Sequence, residues 1–557
     1  VTGENGREEL QVRSGMKVAA VVDDWPRSEL SPRGHIVDVL GEPGENDTEM
    51  HAILAEYGLP YRFEPEVENA ADMISEEITQ EEIALRRDFR DILTFTIDPA
   101  DAKDFDDAIS FRKLENGNYE VGVHIADVTH YVRPGSVVDE EARSRGTSVY
   151  LVDRTVPMLP EKLSNKLCSL RPHEEKLTFS AIFELTPLGR IGDRRFGRTV
   201  INSDHRFTYE EAQTIIENPK SEHKDVAPEI VEAVLLLHSL ASKLRKKRFA
   251  SGAISFERPE MKVEVDEKGR PVNVYQKVTK EANWLIEEFM LLANRCVAEF
   301  VAAKCKKTFV YRVHDEPNQE KVEALRNFIG NFGYRMGPTG NGKEISKELN
   351  ALFAAAKDTP EYNAIELLSL RTMAKARYDT ENLGHYGLAF KYYTHFTSPI
   401  RRYPDLMVHR LLDKYILTGK GETLPREILQ EMCDHCSVCE QEAQQAERES
   451  NKMYQAMWMA EHVGEIMAGH ISGVTDFGLF VQLDESRCEG LVHISTIGQD
   501  EYWQHDEKNY RLVAESMQKK KNTKSVKSYT LGDAVRVQVT RVDINRSQVD
   551  FVLVEDE

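Results

Sequence analysis

Ten residues, Asp98–Asp107 (DPADAKDFDD), carry five aspartates and constrain this chain more than any other segment. The strand-like run ILTFTI delivers Asp98, a loop follows, and Asp104, Asp106 and Asp107 lead into a second strand-like run. In an extended chain residues 104 and 106 share one side, and 107 points the other way. Carboxylates this close repel, and some take up protons unless a cation neutralises them. Oxygen ligands with no His or Cys alongside suit Mg²⁺ or Mn²⁺. An EF-hand is excluded, because the sixth residue from Asp98 is Lys103 rather than Gly and the twelfth is Ile109 rather than Glu. No GxxxxGK[ST] phosphate loop occurs. Taken alone, such a loop can equally be a solvated acidic turn.

The surroundings favour a folded multidomain protein. At 557 residues the chain is long enough for about three or four domains. Its 30% charged and 41% hydrophobic content suits a globular protein. The richest apolar stretch, Ala233–Leu244, is interrupted by His238 and falls short of the roughly 20 residues a membrane helix needs. Val1–Val12 resembles neither a signal nor a transit peptide, so the start reads as a boundary within a longer chain. Seven cysteines without secretory context imply reduced thiols and a cytoplasmic setting. The net charge of −22 leans against nucleic acid as a partner. Total charge speaks to solubility and steering, however, and not to what lines one channel. The basic runs Lys243–Arg248 and Lys519–Lys521 are solvated faces or RNA contacts.

Along the chain, Met16–Val22 and His35–Leu40 are strand-like and look like the last strands of a small barrel. Residues 64–90 are acidic and helical in pattern, and read as a linker. From Ile92 the runs ILTFTID, AISFR and YEVGVHIADV alternate at period two. After Val463, Gly-punctuated strands suggest a small closed barrel.

A second informative segment is Thr394–His409, THFTSPIRRYPDLMVH. Arginine forks bind phosphate oxygens bidentately and stay charged. Beside a carboxylate metal site, paired arginines supply what phosphodiester cleavage needs. TIDPADAKDFDDA together with HFTSPIRRYPDL resembles the RNB-domain exoribonucleases, the ribonuclease II and ribonuclease R family, with the arginine motif closer to the ribonuclease R branch. The similarity runs from about Ile92 to Ala460 and includes GTSVYLV, MLPEKLSNKLCSL and LIEEFMLLAN. It implies Asp98, Asp104, Asp106 and Asp107 as metal and catalytic carboxylates. It implies Arg401 at the phosphates of the reactive end with Arg402 alongside, and Tyr150 clamping the 3′-terminal bases. Phe256 is implied as the stacking partner of Tyr150, and Glu287 as the group that holds the terminal ribose. The N-terminal strands are then similar to the tail of a cold-shock domain.

Gly464–Ser495 resembles the S1 RNA-binding domain through GHISGVTDFGLFVQL and EGLVHIS. Phe477, Phe480 and His493 are its candidate base-stacking groups. Cys433, Cys436 and Cys439 form CxxCxxC without a fourth cysteine nearby, inside a helical pattern, and read as core residues rather than metal ligands.

The expected architecture is α+β and multidomain. It comprises a remnant of a cold-shock OB-type barrel (1–63), a helical linker (64–90), a mixed α/β RNB catalytic domain (91–462) and an S1-type OB-fold barrel (463–557). The resemblance implies a monomeric, processive, hydrolytic 3′→5′ exoribonuclease. Such an enzyme acts on RNA with a single-stranded 3′ end, structured RNA with a 3′ overhang included, and releases nucleoside 5′-monophosphates. The competing reading is a catalytically silent RNA-binding protein of translation or RNA maturation.

Overall fold

The computed structural model describes residues 12–25, 31–221, 223–224, 226–254, 256, 260–359, 361–417, 424–498, 501–516 and 527–554. Strands β1 (Lys17–Asp24) and β2 (Arg33–Gly41) form an antiparallel hairpin, with helix α1 (Asn46–Glu56) packed on it. The segment expected as a linker is instead integral to the next domain. Val67 and Ala71 of α2 (Pro65–Asp72), one helical turn apart on a single face, are buried in the main core. After the short helix α3 (Gln80–Ala84), β3 (Arg87–Asp88) joins the central sheet at its edge.

That sheet is built from β3, β4 (Thr94–Asp98), β5 (Asp107–Lys113), β6 (Tyr119–Ala126), β9 (Glu175–Leu185), β10 (Ile191–Asn202) and β11 (His205–Thr208), in the order β11-β4-β5-β6-β9-β10-β3. Between β6 and β9 lie helices α4 (Val128–Tyr131) and α5 (Val137–Arg145) and the hairpin of β7 (Val149–Tyr150) and β8 (Thr155–Val156). The period-two alternation is present, but several of its polar members do not reach water. Ser110, His124, Thr178, Ser180 and Thr199 are buried on one face of the sheet and hydrogen-bond to one another. Such pairing removes most of the cost of burying polar groups. Gly122 leaves room for this network: a Cβ there would lie 2.4 Å from Ser110 Oγ and 2.5 Å from His124 Nε2.

Helices α6 (Tyr209–Glu217), α7 (Pro228–Ala250) and α8 (Glu281–Phe300) pack together against the sheet, with the hairpin of β12 (Glu260–Val265) and β13 (Pro271–Lys277) between the last two in sequence. Helices α9 (Gln319–Gly330), α10 (Gly342–Ala356) and α11 (Tyr362–Thr372) form a separate apolar cluster, flanked by the paired strands β14 (Tyr311–Val313) and β15 (Arg377–Asp379).

Helix α12 (Tyr403–Leu417) is followed by the 35-residue helix α13 (Arg426–Ala460), which threads three cores. Leu429, Cys433 and Cys436 enter the main core, Ala446 and Tyr454 meet α1 and β7, and Ala456 and Met459 enter the C-terminal barrel. Cys439 is buried as well, and all three thiols are free. After β16 (Ile466–Thr475), β17 (Gly478–Leu483) and β18 (Glu489–His493), a three-stranded sheet intervenes: β19 (Glu501–Asp506), β20 (Arg511–Ser516) and β21 (Ser528–Thr530). Strands β22 (Ala534–Asp543) and β23 (Gln548–Leu553) then close the five-stranded barrel. No helix among the described residues is long and apolar enough to cross a membrane.

Candidate active site

Strand β4 ends on Asp98 and β5 begins on Asp107, so the aspartate loop connects two adjacent strands of the sheet. Its backbone is held from three directions. Ser169 Oγ accepts from Phe105 N at 3.0 Å and donates to Lys103 O at 2.7 Å, and Leu170 N donates to Phe105 O at 2.9 Å. Ala126 N, at the end of β6, donates to Asp106 O at 2.9 Å. Arg206, on β11, donates to Pro99 O at 2.6 Å and Ala100 O at 3.0 Å while its guanidinium lies over the Phe105 ring.

The carboxylates so placed are short of water and of partners. Asp106 is 6% exposed. Its Oδ1 accepts from Ile400 N at 2.9 Å and its Oδ2 lies 3.6 Å from Arg401 Nε. Asp98 Oδ2 is buried without a hydrogen-bond partner. Burial, reinforced by the charge of Asp107, pushes the Asp98 carboxyl up to about 8, against the opposing pull of Arg206. Burial raises Asp107 to about 6, with Arg401 pulling the other way. Asp104 and Asp106 are raised for the same reason, and Arg401 opposes the shift in both.

The four side chains do not form a ready-made cage: among the described residues no three His, Cys, Asp or Glu side chains are gathered as a metal site. Their mutual repulsion accounts for this, and Asp106 is already tied to the arginine loop. The donor set nevertheless fits a hard divalent cation. Mg²⁺ is commonly held by one or two carboxylates plus waters and substrate phosphates, and Asp98 Oδ2 is an orphaned buried acceptor of the right kind.

The arginine loop that meets these carboxylates is a closed unit. Asp405, with no exposure, accepts Ser398 N at 2.8 Å and both Arg402 Nε and Nη2 at 2.9 Å. Arg402 is thereby paired with Asp405, and its side chain is 17% exposed. Arg401 is different: its side chain is 41% exposed, and it donates to Ser398 Oγ at 3.0 Å. Arg401 O accepts from Ser148 N at 3.0 Å and Thr147 Oγ1 at 3.1 Å. Tyr150, two residues beyond Ser148, is 39% exposed, and the charges of Arg401, Asp104 and Asp106 all act on it. The aspartate loop, the arginine loop and the Tyr150 strand therefore form one hydrogen-bonded assembly from three distant parts of the sequence.

Two other expected groups have protein partners of their own. The Phe256 ring is half-buried against Phe353 of α10, 5.5 Å between centroids, in the α9–α11 cluster. Glu287 accepts from Arg248 at 3.0 Å and lies 3.8 Å from Arg245. The basic run at 243–248 is partly occupied within the fold: Lys243 bonds Pro187 O and Arg248 is buried on Glu288, while Lys246 and Lys247 are exposed. The second run, Lys519–Lys521, lies outside the described residues.

On the barrel, Phe477 is 48% exposed with its ring edge-on to the half-buried Phe480 at 6.0 Å, and His493 is exposed. Gly478 pairs with His493 across β17 and β18, which brings the three side chains to one end of two adjacent strands. Sequence reasoning missed Tyr209, the first residue of α6. Its hydroxyl is held protonated by burial, with the charges of Asp107 and Asp98 adding to the effect. Arg206, Ser169 and Asp405 were missed too, since each acts through contacts that no local pattern announces.

Comparison with known proteins places the chain among relatives. The model of the RNB domain matches residues 86–418, that of the cold shock domain residues 5–64, and that of the S1 RNA binding domain residues 461–553. The chain is 40% identical to Ribonuclease R 1 of Lactococcus lactis over 551 residues, which is 97% of this chain and 65% of that protein. It is also 40% identical to Ribonuclease R of Aquifex aeolicus over 553 residues, 98% of this chain and 76% of that one. The structure of Mycoplasma genitalium RNase R in complex with ribose methylated single-stranded RNA superposes with a TM-score of 0.88 at 29% identity, covering 98% of this chain and 84% of that one.

Proposed function

The chain belongs to the family of RNB-domain ribonucleases of the ribonuclease R type, and from that premise we propose that it is a hydrolytic 3′→5′ exoribonuclease whose centre is the aspartate loop facing Arg401. The observation that carries this reading is the bond between Ile400 N and Asp106 Oδ1, which closes two loops 294 residues apart onto one another. A solvated acidic turn has no use for such a contact.

Asp98, Asp104, Asp106 and Asp107 would hold Mg²⁺, with Mn²⁺ as a substitute, because their oxygens are hard and neither His nor Cys is beside them. When bound, the ion supplies Lewis acidity toward a phosphate oxygen and toward the attacking water. The chain's own residues do the rest. Arg401 offers its exposed guanidinium to the scissile phosphate and offsets the negative charge that develops there. Tyr150 offers a ring to the terminal bases, and stacking serves every sequence because each base has a π-face. Phe477, Phe480 and His493 hold the incoming single strand on the barrel. The products are nucleoside 5′-monophosphates, and the protein acts as a cytoplasmic monomer.

Incubating 3′-overhang and single-stranded RNA, labelled at the 5′ end, with Mg²⁺ or with EDTA tests the proposal. Stepwise shortening in Mg²⁺ alone is expected. Shortening that survives thorough chelation, or none under either condition, refutes it.

A further inference from the structure

A cavity of about 320 Å³ lies on the seam between α9 and α11 and the turn joining β19 to β20, lined by Lys321, Leu325, Leu368, Arg371, Thr372 and Tyr510. Its floor is apolar, since Leu325 and Leu368 are buried members of the α9–α11 cluster. Its rim carries two exposed cations. Among the described residues neither Lys321 nor Arg371 has a side-chain hydrogen bond or ion pair, and the nearby Glu323 is paired with Arg326 at 2.7 Å. The opposite wall is the Tyr510 ring.

Two features make this a formed concavity rather than a slack joint. The seam beside it is tightly packed: Leu531 is buried in the helical cluster, and a Cβ on Gly532 would lie 2.7 Å from Ala364 Cβ. Tyr510 itself caps the 3-10 turn Glu507–Asn509 in the left-handed region at φ 51°, which bulky side chains seldom adopt. Its ring stands edge-on to Phe328 at 5.6 Å, and Leu531 N bonds its carbonyl at 2.9 Å.

An aromatic wall, an apolar floor and two uncommitted cations at the rim are complementary to one chemistry: a flat base joined to a phosphate. We infer that this seam binds a nucleotide unit, its base against Tyr510 and its phosphate between Lys321 and Arg371, apart from the aspartate centre. The inference rests on the ribonuclease reading for its choice of ligand. The same chemistry reaches the protein from two sources, a segment of the RNA strand or a free nucleoside 5′-monophosphate.

Photolabelling separates them. Full-length protein carrying Asp106→Asn, so that RNA is not consumed, is irradiated with 8-azidoadenosine 5′-monophosphate or with a single-stranded RNA bearing 5-iodouridine, and the labelled peptides are mapped. Label on peptides from α9, α11 or the Tyr510 turn is expected. The exposed double variant Lys321→Ala/Arg371→Ala should reduce it at least fivefold, whereas label at the Tyr150 strand stays constant. Tyr510→Phe should retain labelling and Tyr510→Leu should lose it.

Labelling by the mononucleotide alone identifies a free-nucleotide site, and labelling by RNA identifies the strand. In the RNA case the double variant also makes the dependence of log K on log salt shallower by about 0.7, the share of one single-strand phosphate. No label at the seam with either probe, or label indifferent to the double variant, overturns the inference. Failure of the ribonuclease reading would show separately, as absence of RNA shortening by the protein with Asp106 intact.

Discussion

Asp405→Asn is the substitution that most directly tests how the site is held together. Asp405 is fully buried and accepts three donors, Ser398 N and the Nε and Nη2 of Arg402. Asparagine matches its shape but offers one acceptor and one amide group, which must face either the guanidinium or Ser398 N. At least one charge-assisted hydrogen bond is lost, worth about 1.5–3 kcal/mol. Arg402, at 17% side-chain exposure, keeps its charge without a counter-ion. Removing one partner of a buried pair costs about 3–5 kcal/mol in the severe case, and the retained amide oxygen puts Asp405→Asn toward the lower end. The catalytic consequence is separate. Ser398 and Arg402 bracket Ile400 and Arg401, so a loosened loop moves the amide that meets Asp106 and the exposed guanidinium beside it. Loss of a preorganised charge stabiliser costs about 10²–10³ in kcat. Calorimetry would give the stability change, and single-turnover cleavage of saturating RNA would give the chemical step. The double variant Arg402→Met/Asp405→Leu should recover stability, since apolar replacement of a buried pair is often neutral or better, without recovering turnover. A folded Asp405→Asn protein with unchanged single-turnover rate would refute the view that this pair aims Arg401.

Other consequences are as direct. Asp106→Asn keeps an oxygen for Ile400 N, so the fold should persist while turnover falls at least about a thousandfold, some 4 kcal/mol of barrier, with RNA binding retained in a gel-shift assay. Tyr150→Ala should loosen the grip on short ends by about 1–3 kcal/mol and leave a longer limit product on a sequencing gel. Below their raised pKa values of about 8 and about 6, Asp98 and Asp107 hold protons that a cation must displace, so apparent Mg²⁺ affinity should fall as pH is lowered across that window; titration calorimetry in two buffers would detect the released protons. With EDTA present the same raised values make the folded state bind protons that the unfolded chain releases at about 4. The melting temperature should therefore drop as pH rises toward 8, and added Mg²⁺ should offset that drop.

What the residues alone determined is what local pattern can encode. Strand, turn and strand around DPADAKDFDD, the Ser-Pro-Ile-Arg-Arg turn and the Gly-punctuated barrel strands each lie within a short span, and each fold element appears where its pattern puts it. CxxCxxC could be read as core because helical spacing puts the thiols on one face, and α13 buries them. Tertiary structure decided which charges are free. RRYPD does not tell that Arg402 pairs with Asp405 three residues on while Arg401 faces Asp106. KLRKKR reads as a basic patch, yet Arg248 is buried on α8. Phe256 rests on Phe353, Tyr209 reaches the aspartates from the start of α6, and Val67 and Ala71 turn an apparent linker into core. The physical reason is common to all of them. Whether a charge or ring is available depends on the desolvation and partners it meets in space, and those partners come from elements that spacing along the chain cannot bring together.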